Sequence, residues 1–227
     1  AGLNGLGSKL TNVFSKESIV SSCEGKNHFT QTFSDNMRSR TQPIIKKSKV
    51  NHTQITYKPD LAQFGIEEID EDHYKMMEKR VYDLAGCNPG IKFHFNGKLL
   101  NFLTFEDYMK LYVDEYFFET KKDKTWSVGI ALSENGFQQV SFVNSTETYD
   151  GGTHVDYIMN QIVSQLREFF MKKHKVDIKP SELKNHMTLF LNSTVINPSF
   201  SSQTKEKLIT EVKDFGTTYE IASKTIQ

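Results

Sequence analysis

The sequence predicts a mixed α/β (α+β) fold, and three observations support this. Apolar and other residues alternate along 126–132 and along 187–191, which is the period of strands that bury one face more than the other. Apolar residues recur at three- and four-residue steps over 155–170, as on the buried stripe of a long helix. Asn96-Gly97 and Asn135-Gly136 are dipeptides that favour tight hairpin turns.

The composition is that of an ordinary globular chain. Of the 227 residues, 37% are hydrophobic and 25% are charged, so one large domain or two small ones would fit. The 28 basic and 28 acidic residues cancel to a formal net charge of +0, and contact with nucleic acid must therefore come from a local basic patch. No apolar run has the length of a membrane span, and the first residues show no basic region followed by an apolar segment.

Cysteines and histidines give no sign of a metal or redox site. Cys23 and Cys87 lie far apart without a CxxC pattern, which favours a reducing, intracellular setting. His154, His174 and His186 have no ligand spacing, and a hydrogen-bonded core or surface role is the default for each. The sequence predicts no metal ligand.

Glycines open the chain. Gly2, Gly5 and Gly7 precede a segment with helical apolar spacing that begins near Leu10. Backbone N–H groups ahead of a helix can hold an anion, although the GK[ST] ending of a phosphate loop is missing and a flexible turn is the alternative. Because the motif starts at once, we expect the chain to be cut from within a larger domain.

The first part of the chain predicts a hairpin and two further segments. Alternating residues on both sides of Gly25-Lys26-Asn27 predict two paired strands over 19–35. The basic stretch 46–49 predicts a loop, and 54–58 predicts a short strand that Pro59 ends.

A helix follows, with Asp70 as its N-cap and Gly86 as its stop. Met76 and Met77 on this helix are expected to fill core space. Further along, residues 91–99 predict a hairpin around Asn96-Gly97.

Two capping pairs and one strand pairing are predicted next. Thr104 with Asp107 predicts the start of a short helix, and Thr153 with Asp156 predicts the start of the longest one. Because Asn135-Gly136 separates the strand 126–132 from a second apolar strand, 137–144, we expect these two to pair antiparallel. Asp150, Asp156 and the acidic run 67–72 are best explained as caps and helix entries.

The end of the chain holds two groups of lysines. The longest helix ends in a basic cluster, Lys172, Lys173 and Lys175, which suits the helix dipole. The strand that starts at Met187 should stop near Asn197-Pro198 and leave Gln203-Thr204-Lys205 on a polar loop. A lysine on a rigid support can contact a phosphate, although a solvated turn lysine is the common alternative.

Three motifs, taken in order, resemble one family closely: the ATPase part of type IIA DNA topoisomerases of the eukaryotic, large-virus and phage kind. They are GLNGLGSKLTNVFS (2–15), FQQVSFVNSTETYDGGTHVDYI (137–158) and KNHMTLFLNSTVINPSFSSQTKE (184–206). ITYKPDL (55–61) and RVYDLAG (80–86) lie between the first two and are similar to family segments as well.

The resemblance implies two domains. Residues 1–50 are similar to the C-terminal part of a GHKL ATP-binding domain with its ATP lid, and 51–227 to a transducer domain like domain 2 of ribosomal protein S5. The implied ATP contacts come from the lid and from the QTK loop, where Lys205 meets the γ-phosphate as the switch. These residues are Gly2, Leu3, Asn4, Gly5, Leu6, Gly7, Ser8, Lys9, Gln203, Thr204 and Lys205.

Other parts of the family's machinery are implied outside this chain. The general base and the Mg²⁺ ligand would lie upstream of residue 1, and the DNA-cutting tyrosine downstream, so the fragment alone should neither hydrolyse ATP nor cut DNA. Leu3 and Leu6 stand where the eukaryotic proteins usually carry arginine and tyrosine. The implied partners are a DNA duplex facing Lys172, Lys173 and Lys175, a second copy of the subunit, and the remaining regions of the enzyme.

The expected function is thus the ATP-binding and transducer portion of an enzyme that passes one duplex through a transient break in another. ATP binding would close the N-gate of the dimer, in an intracellular setting with DNA: nucleus, nucleoid or virus-infected host cell. The alternative is a non-enzymatic S5-like module that binds nucleic acid through 172–175, and steep salt dependence without nucleotide would distinguish it.

Overall fold

The computed structural model describes residues 5–102 and 104–222. The chain divides into two compact units, Ala1–Tyr74 and Lys75–Gln227. This division lies downstream of the domain boundary that the sequence placed between residues 50 and 51. The assignment of the two domains to the GHKL and transducer types stays a prediction.

The first unit is a short helix with an antiparallel sheet. Its elements are α1 (Leu6–Val13), β1 (Ser15–Cys23), β2 (Asn27–Ser34), β3 (Ser39–Arg40), β4 (Ile44–Lys47), β5 (His52–Pro59) and a 3-10 helix (Leu61–Phe64). The order is β3-β2-β1-β5, and β4 also pairs with β2. The predicted hairpin β1–β2 and the strand that ends at Pro59 are confirmed.

The loop predicted over 46–49 is wrong in its first half. Lys46 and Lys47 belong to β4 and pair with His28 and Asn27 of β2. Strand β2 has backbone groups free on the side away from β1, and β4 supplies their hydrogen-bond partners.

Helix α2 (Glu71–Cys87) begins as predicted, since the His73 N–H donates to the Asp70 carboxylate over 2.9 Å. Gly86 is not its stop. It lies inside the helix, and a glycine is needed there because a Cβ would come within 2.6 Å of Tyr108 Cβ. The core role predicted for Met76 and Met77 is also wrong: these side chains are 69% and 44% exposed. Only the last turns of the helix carry buried residues.

Besides most of α2, the described part of the second unit has a hairpin, three further α-helices and a mixed sheet. Its further elements are β6 (His94–Phe95), β7 (Lys98–Leu99), α3 (Phe105–Met109), β8 (Phe117–Thr120), β9 (Trp126–Leu132), β10 (Gln138–Val143), β11 (Thr146–Glu147), α4 (Thr153–His174), α5 (Pro180–Asn185), β12 (Met187–Ser193) and a 3-10 helix (Val212–Asp214). The hairpin β6–β7 and the capping box of Thr104 and Asp107 are confirmed.

The strand order β11-β10-β12-β9-β8 overturns the predicted pairing of β9 with β10. Strand β12 lies between them, parallel to β10 and antiparallel to β9. It buries six of its seven residues, and a strand so apolar on both faces is most stable at the centre of a sheet. It ends at Ser193, four residues before the predicted Asn197, although the Thr194 N–H still donates to the carbonyl of Thr125.

The sheet carries a core on each face. Leu189 and Leu191 of β12 join the residues buried under α4, which include Ile158 and Ile162. Phe190 points the other way and packs with residues of α3 and with Phe142. Both cysteines are buried and free. Over 5–102 and 104–222, the helices lack the combination of length and apolar character that spanning a bilayer requires.

Candidate functional site

Gln203, Thr204 and Lys205 belong to one tight turn, residues 201–207, called the Lys205 turn below. A backbone hydrogen bond of 3.0 Å joins its two ends, and the Lys205 N–H donates to the carbonyl of Ser202 over 3.1 Å. Lys205 has a left-handed φ of 64°. The sequence therefore predicted this loop correctly: Gln203 and Thr204 are exposed at its tip, and Lys205 is half-buried.

The Lys205 turn is fastened by backbone hydrogen bonds to residues 150–153, called the anchor segment. The Asp150 N–H donates to the carbonyl of Glu206 over 3.0 Å. Leu208, which is fully buried, donates to the carbonyl of Gly151 and accepts from the N–H of Thr153, each over 3.1 Å. Because these bonds join main chain to main chain, the turn and the start of α4 form one rigid piece.

Gly152 is what permits this close approach. A Cβ on it would lie 2.2 Å from the Leu208 carbonyl oxygen and 2.6 Å from its nitrogen. Gly152 is the N-cap of α4 and has a φ of 129°, so the predicted cap of Thr153 with Asp156 is wrong. Thr153 is instead the first helical residue, and its hydroxyl donates to the carbonyl of Thr210 over 2.6 Å.

The positive charge of the Lys205 side chain has no paired carboxylate within the part of the chain that the structure describes. No ion pair there joins the Lys205 ammonium to a carboxylate. Because the backbone of this turn is already fixed, only the side chain of Lys205 has to be ordered when its ammonium contacts a phosphate oxygen.

The lid residues form the start of α1 in the first unit. Gly5 is the N-cap with a left-handed φ of 61°, and no side chain caps the helix. The hydroxyl of Ser8 donates to the carbonyl of Gly5 over 3.2 Å. The first N–H groups of a helix have no acceptor within it, so they can bind an anion. Residues 5–9 are exposed, and Gly2, Leu3 and Asn4 lie outside the described residues.

The predicted contacts thus form two groups, one in each unit: Leu6 to Lys9 on α1, and residues 203–205 on the Lys205 turn. That both groups contact one ligand stays a prediction.

The basic cluster lies at the other end of α4, and all three of its lysines are exposed. Lys172 pairs with Glu168, and the Lys173 ammonium lies 5.0 Å from the centre of the Phe169 ring. Lys175 closes the helix in a left-handed conformation with φ 58°. The charges are solvated and can contact a polyanion without breaking buried structure.

Sequence reasoning missed a partly buried ion cluster in the second unit. The Lys79 ammonium binds both carboxylate oxygens of Glu147 over 2.8 and 2.9 Å and those of Asp83 over 3.1 and 3.2 Å. Tyr108, whose hydroxyl also meets that of Tyr112 at 2.7 Å, donates to Asp83 over 2.7 Å. The signal was the i,i+4 spacing of Lys79 and Asp83 within one helix.

Burial dominates the electrostatics of this cluster. Asp83 is only 2% exposed, and burial raises the pKa of its carboxyl above the ordinary value. Burial also raises the pKa of the Tyr108 hydroxyl, which therefore remains a donor. Burial alone would lower the pKa of Lys79, but hydrogen bonds from its ammonium to Glu147 and Asp83 outweigh this and raise it. Glu147 lies three residues before Asp150, so Lys79 binds the chain just ahead of the anchor segment.

His154 lies beneath the same segment and is fully buried. Its Nε2 is 3.1 Å from the hydroxyl of Thr148, while Nδ1 has no hydrogen-bond partner among the described residues. Burial lowers the pKa of His154 to about 3, so the ring is neutral at physiological pH. The hydrogen-bonded core role expected for this histidine is confirmed. Across the described ranges no three His, Cys, Asp or Glu side chains are arranged to hold a metal ion.

Comparison with known proteins gives a consistent result. The family model described as DNA gyrase B matches residues 99–225. A protein of Dictyostelium discoideum named probable DNA topoisomerase 2 is 41% identical over 239 aligned residues, which cover 100% of this chain and 16% of that protein. The DNA topoisomerase 2-beta of Mus musculus is 42% identical over 98% of this chain and 15% of its own length. The chain therefore spans about one sixth of these relatives.

Solved structures agree. The ATPase region of Saccharomyces cerevisiae topoisomerase II superposes with a TM-score of 0.92 at 40% identity, covering 100% of this chain and 60% of that one. The ATPase and transducer domains of Balamuthia mandrillaris DNA topoisomerase II give 0.92 at 36% identity with the same coverage. The ATPase domain of Thermus thermophilus gyrase B, at 21% identity and a TM-score of 0.63, shares the mixed α/β fold.

Proposed function

Because the chain belongs to the DNA gyrase B family, we propose that it is the lid and transducer portion of an ATP-dependent type II DNA topoisomerase. The names of its relatives support this, since they are DNA topoisomerases 2 and the ATPase regions of such enzymes. In the complete enzyme, one DNA duplex would pass through a transient double-strand break in another.

One observation carries the proposal. The Lys205 ammonium pairs with no carboxylate among the described residues, and it lies on a turn that main-chain hydrogen bonds join to the start of a long helix. Lys205 would contact the terminal phosphate of ATP, with Gln203 and Thr204 beside it. At the other unit, Gly2 to Lys9 would hold the phosphates through the backbone N–H groups at the start of α1. The left-handed Gly5 and the uncapped helix start fit an anion.

Bound ATP supplies the free energy that favours one arrangement of the two domains over another. This chain's part is mechanical. When the terminal phosphate leaves, Lys205 would lose its partner. The Lys205 turn, β12 and α4 could then adopt a different orientation relative to the nucleotide-binding domain. One backbone hydrogen bond of Glu206 and two of Leu208, the residue after the turn, join it to the anchor segment and would couple a displacement of the turn to the start of α4.

The basic cluster would receive that displacement. Helix α4 has 22 residues, and at 1.5 Å per residue its ends lie about 33 Å apart. Lys172, Lys173 and Lys175 at its far end would face the duplex that is transported. Contacts of this kind are electrostatic and independent of base sequence.

The remaining assignments follow from the same premise. The Mg²⁺ ligand and the general base would belong to upstream regions of the enzyme, and DNA cleavage to downstream ones. The complete enzyme would be a homodimer that acts inside the cell on DNA. The isolated chain should therefore show no steady ATP turnover, and turnover by purified chain would contradict this division of labour.

The test replaces Lys205 by alanine in the complete enzyme that carries this chain. We expect Lys205→Ala to reduce ATP-driven DNA relaxation at least tenfold while nucleotide-independent DNA cleavage stays intact. Lys207→Ala is the matched control, because it removes an exposed lysine two residues away on the same turn. Relaxation at the wild-type rate by the Lys205 variant would rule the role out.

The alternative, a non-enzymatic nucleic-acid binding module, is less well supported, because similarity to topoisomerase II ATPase regions covers the whole chain. It would be favoured if the isolated chain bound DNA tightly without nucleotide and with affinity falling steeply as salt rises.

A further inference from the structure

Two histidines meet on one face of the sheet in the first unit. Strand β1 lies between β2 and β5, and its Cys23 has His28 as cross-strand partner on one side and His52 on the other. Directly opposed residues of neighbouring strands point to the same face. The register therefore brings two imidazoles to one place from positions 24 residues apart in the sequence.

Both rings point at a common oxygen. The Nε2 atoms of His28 and His52 lie 2.8 and 3.0 Å from the hydroxyl oxygen of Ser21, two residues along β1. The ring centres are 5.0 Å apart, with the planes at 65°. A further hydroxyl, that of Thr30, lies 3.1 Å from the same nitrogen of His28. Two imidazole nitrogens thus lie within hydrogen-bond distance of one hydroxyl oxygen, and a second hydroxyl lies beside one of the nitrogens.

The tautomer of His52 suits a metal ligand. Its Nδ1 lies 3.3 Å from the carbonyl oxygen of Val50, which can only accept, so Nδ1 carries the proton. The lone pair is then on Nε2 and points toward Ser21. A backbone carbonyl that holds the remote nitrogen is the usual support of a metal-binding histidine.

We propose that His28 and His52 form a binding site for a borderline divalent transition metal, with Zn²⁺ as the representative ion. The ion would take the place toward which both Nε2 atoms now point. Each nitrogen would approach by about 0.8 Å, from hydrogen-bond distance to the Zn–N distance of about 2.0–2.1 Å. Ser21 would turn aside or contribute its hydroxyl, and water would complete the coordination.

Cys23 is not a ligand despite its central register. Its thiol is buried and lies 3.7 Å from the carbonyl oxygen of Ser48. The site therefore has two protein nitrogens as ligands. This agrees with the finding that no three His, Cys, Asp or Glu side chains among the described residues are arranged to hold a metal ion. With so few ligands we expect affinity in the micromolar range. The site should bind ions that favour imidazole more tightly than it binds Mg²⁺ or Ca²⁺.

A bound ion would join β2 to β5 across β1. Since it binds the folded sheet and not the unfolded chain, it stabilises the first unit in proportion to its concentration. The site is independent of the nucleotide role proposed above, and neither result depends on the other.

The test is calorimetric titration of the chain with ZnCl₂ at pH 7.5. We expect one site that weakens at least tenfold in His28→Gln and in His52→Gln. His94→Gln, which removes an exposed histidine of the second unit, should bind like the original chain. Ser21→Ala should bind as tightly or more tightly, because it removes the hydroxyl that lies within hydrogen-bond distance of both Nε2 atoms.

Copper provides a second measurement. Cu²⁺ bound to the chain should show two equivalent nitrogens in its electron paramagnetic resonance spectrum, and one or none in the histidine variants. Circular dichroism would verify that each variant remains folded. Absence of binding at 100 μM Zn²⁺, binding by either histidine variant as tight as that of the original chain, or loss of binding in Cys23→Ser alone would overturn the proposal.

Discussion

The two ends of α4 differ in almost every physical respect. At its start, Gly151, Gly152 and His154 are buried, and main-chain hydrogen bonds tie the helix to the Lys205 turn. At its end, Lys172, Lys173 and Lys175 are exposed, and their contacts are a surface ion pair and a ring contact. One helix thus has a fastened end that can transmit position and a solvated end that can adapt to a polyanion.

The difference follows from the apolar pattern of the helix. Its buried residues run from His154 to Val163, and beyond them Met171 is 44% exposed. Substitutions at the fastened end should therefore cost stability, while those at the solvated end should change binding alone.

The largest effect is expected for Gly152→Ala. The new Cβ would meet backbone atoms of Leu208 that cannot move without breaking the anchor. We expect a loss of about 3 kcal/mol or more in unfolding free energy, measured by urea with Trp126, the single tryptophan, as the fluorescent probe. Gly136→Ala is the control: it also has positive φ, 82°, but open space around it, and should lose only about 1–2 kcal/mol. Equal losses would contradict the close-contact account.

Lys79→Met should have the next largest effect, about 2–3 kcal/mol, because it leaves buried Asp83 without its cation. The exposed pair at the other end supplies the control, and Lys172→Met should cost under about 0.5 kcal/mol.

The pH dependence of the Lys79 variant has a definite sign. Burial already raises the pKa of Asp83, and loss of Lys79 raises it further, so the folded variant binds the proton at higher pH than the unfolded chain does. The loss of unfolding free energy in the Lys79 variant, relative to the original chain, should therefore become smaller as pH falls. Urea unfolding at a series of pH values checks this, and a deficit constant with pH would contradict it.

His154 should make the fastened end sensitive to acid. Its pKa is lowered from 6.5 to about 3, so between these values the unfolded chain binds more protons than the folded one. Unfolding free energy should fall as pH drops through this window, by up to about 1.4 kcal/mol per pH unit. We expect His154→Gln to reduce the change of unfolding free energy with pH. His174→Gln, at the exposed end, should leave this pH dependence unchanged. A slope unchanged in the His154 variant would contradict the account.

The smallest effect on stability is expected for the triple variant Lys172→Ala, Lys173→Ala, Lys175→Ala, with a change within about 0.5 kcal/mol. Its affinity for duplex DNA in the complete enzyme should fall, and the slope of log affinity against log salt should decrease by up to about 2.7. Alanine at the exposed Lys46, Lys47 and Lys49 changes the charge equally and is the control. Equal losses of affinity in both variants would indicate a general charge effect.

Local features were predictable from the sequence. The capping box at Thr104, the Asn96-Gly97 hairpin and the strands β9 and β12 depend on residues a few positions apart. Their signals are short-range hydrogen bonds and side-chain alternation, which a sequence displays directly.

Long-range features were not. The insertion of β12 between β9 and β10 joins strands about fifty residues apart, and the Asn135-Gly136 turn gave no sign of it. The close contact of Gly152 with Leu208 depends on the fold as well. The pairing of Lys79 with Glu147, 68 residues away, was hidden for the same reason. The Lys205 turn was predicted as a polar loop from the local sequence, and only its role toward ATP came from the family resemblance.

The most direct test of the central claim, that Lys205 contacts the terminal phosphate, is nucleotide affinity in the complete enzyme. Binding of a non-hydrolysable triphosphate analogue and of the diphosphate would be measured for the wild type and for Lys205→Ala. A lost charge-assisted hydrogen bond of about 1.5 kcal/mol or more should weaken the triphosphate about tenfold or more and leave the diphosphate unchanged. Equal weakening of both nucleotides, or of neither, would contradict the account.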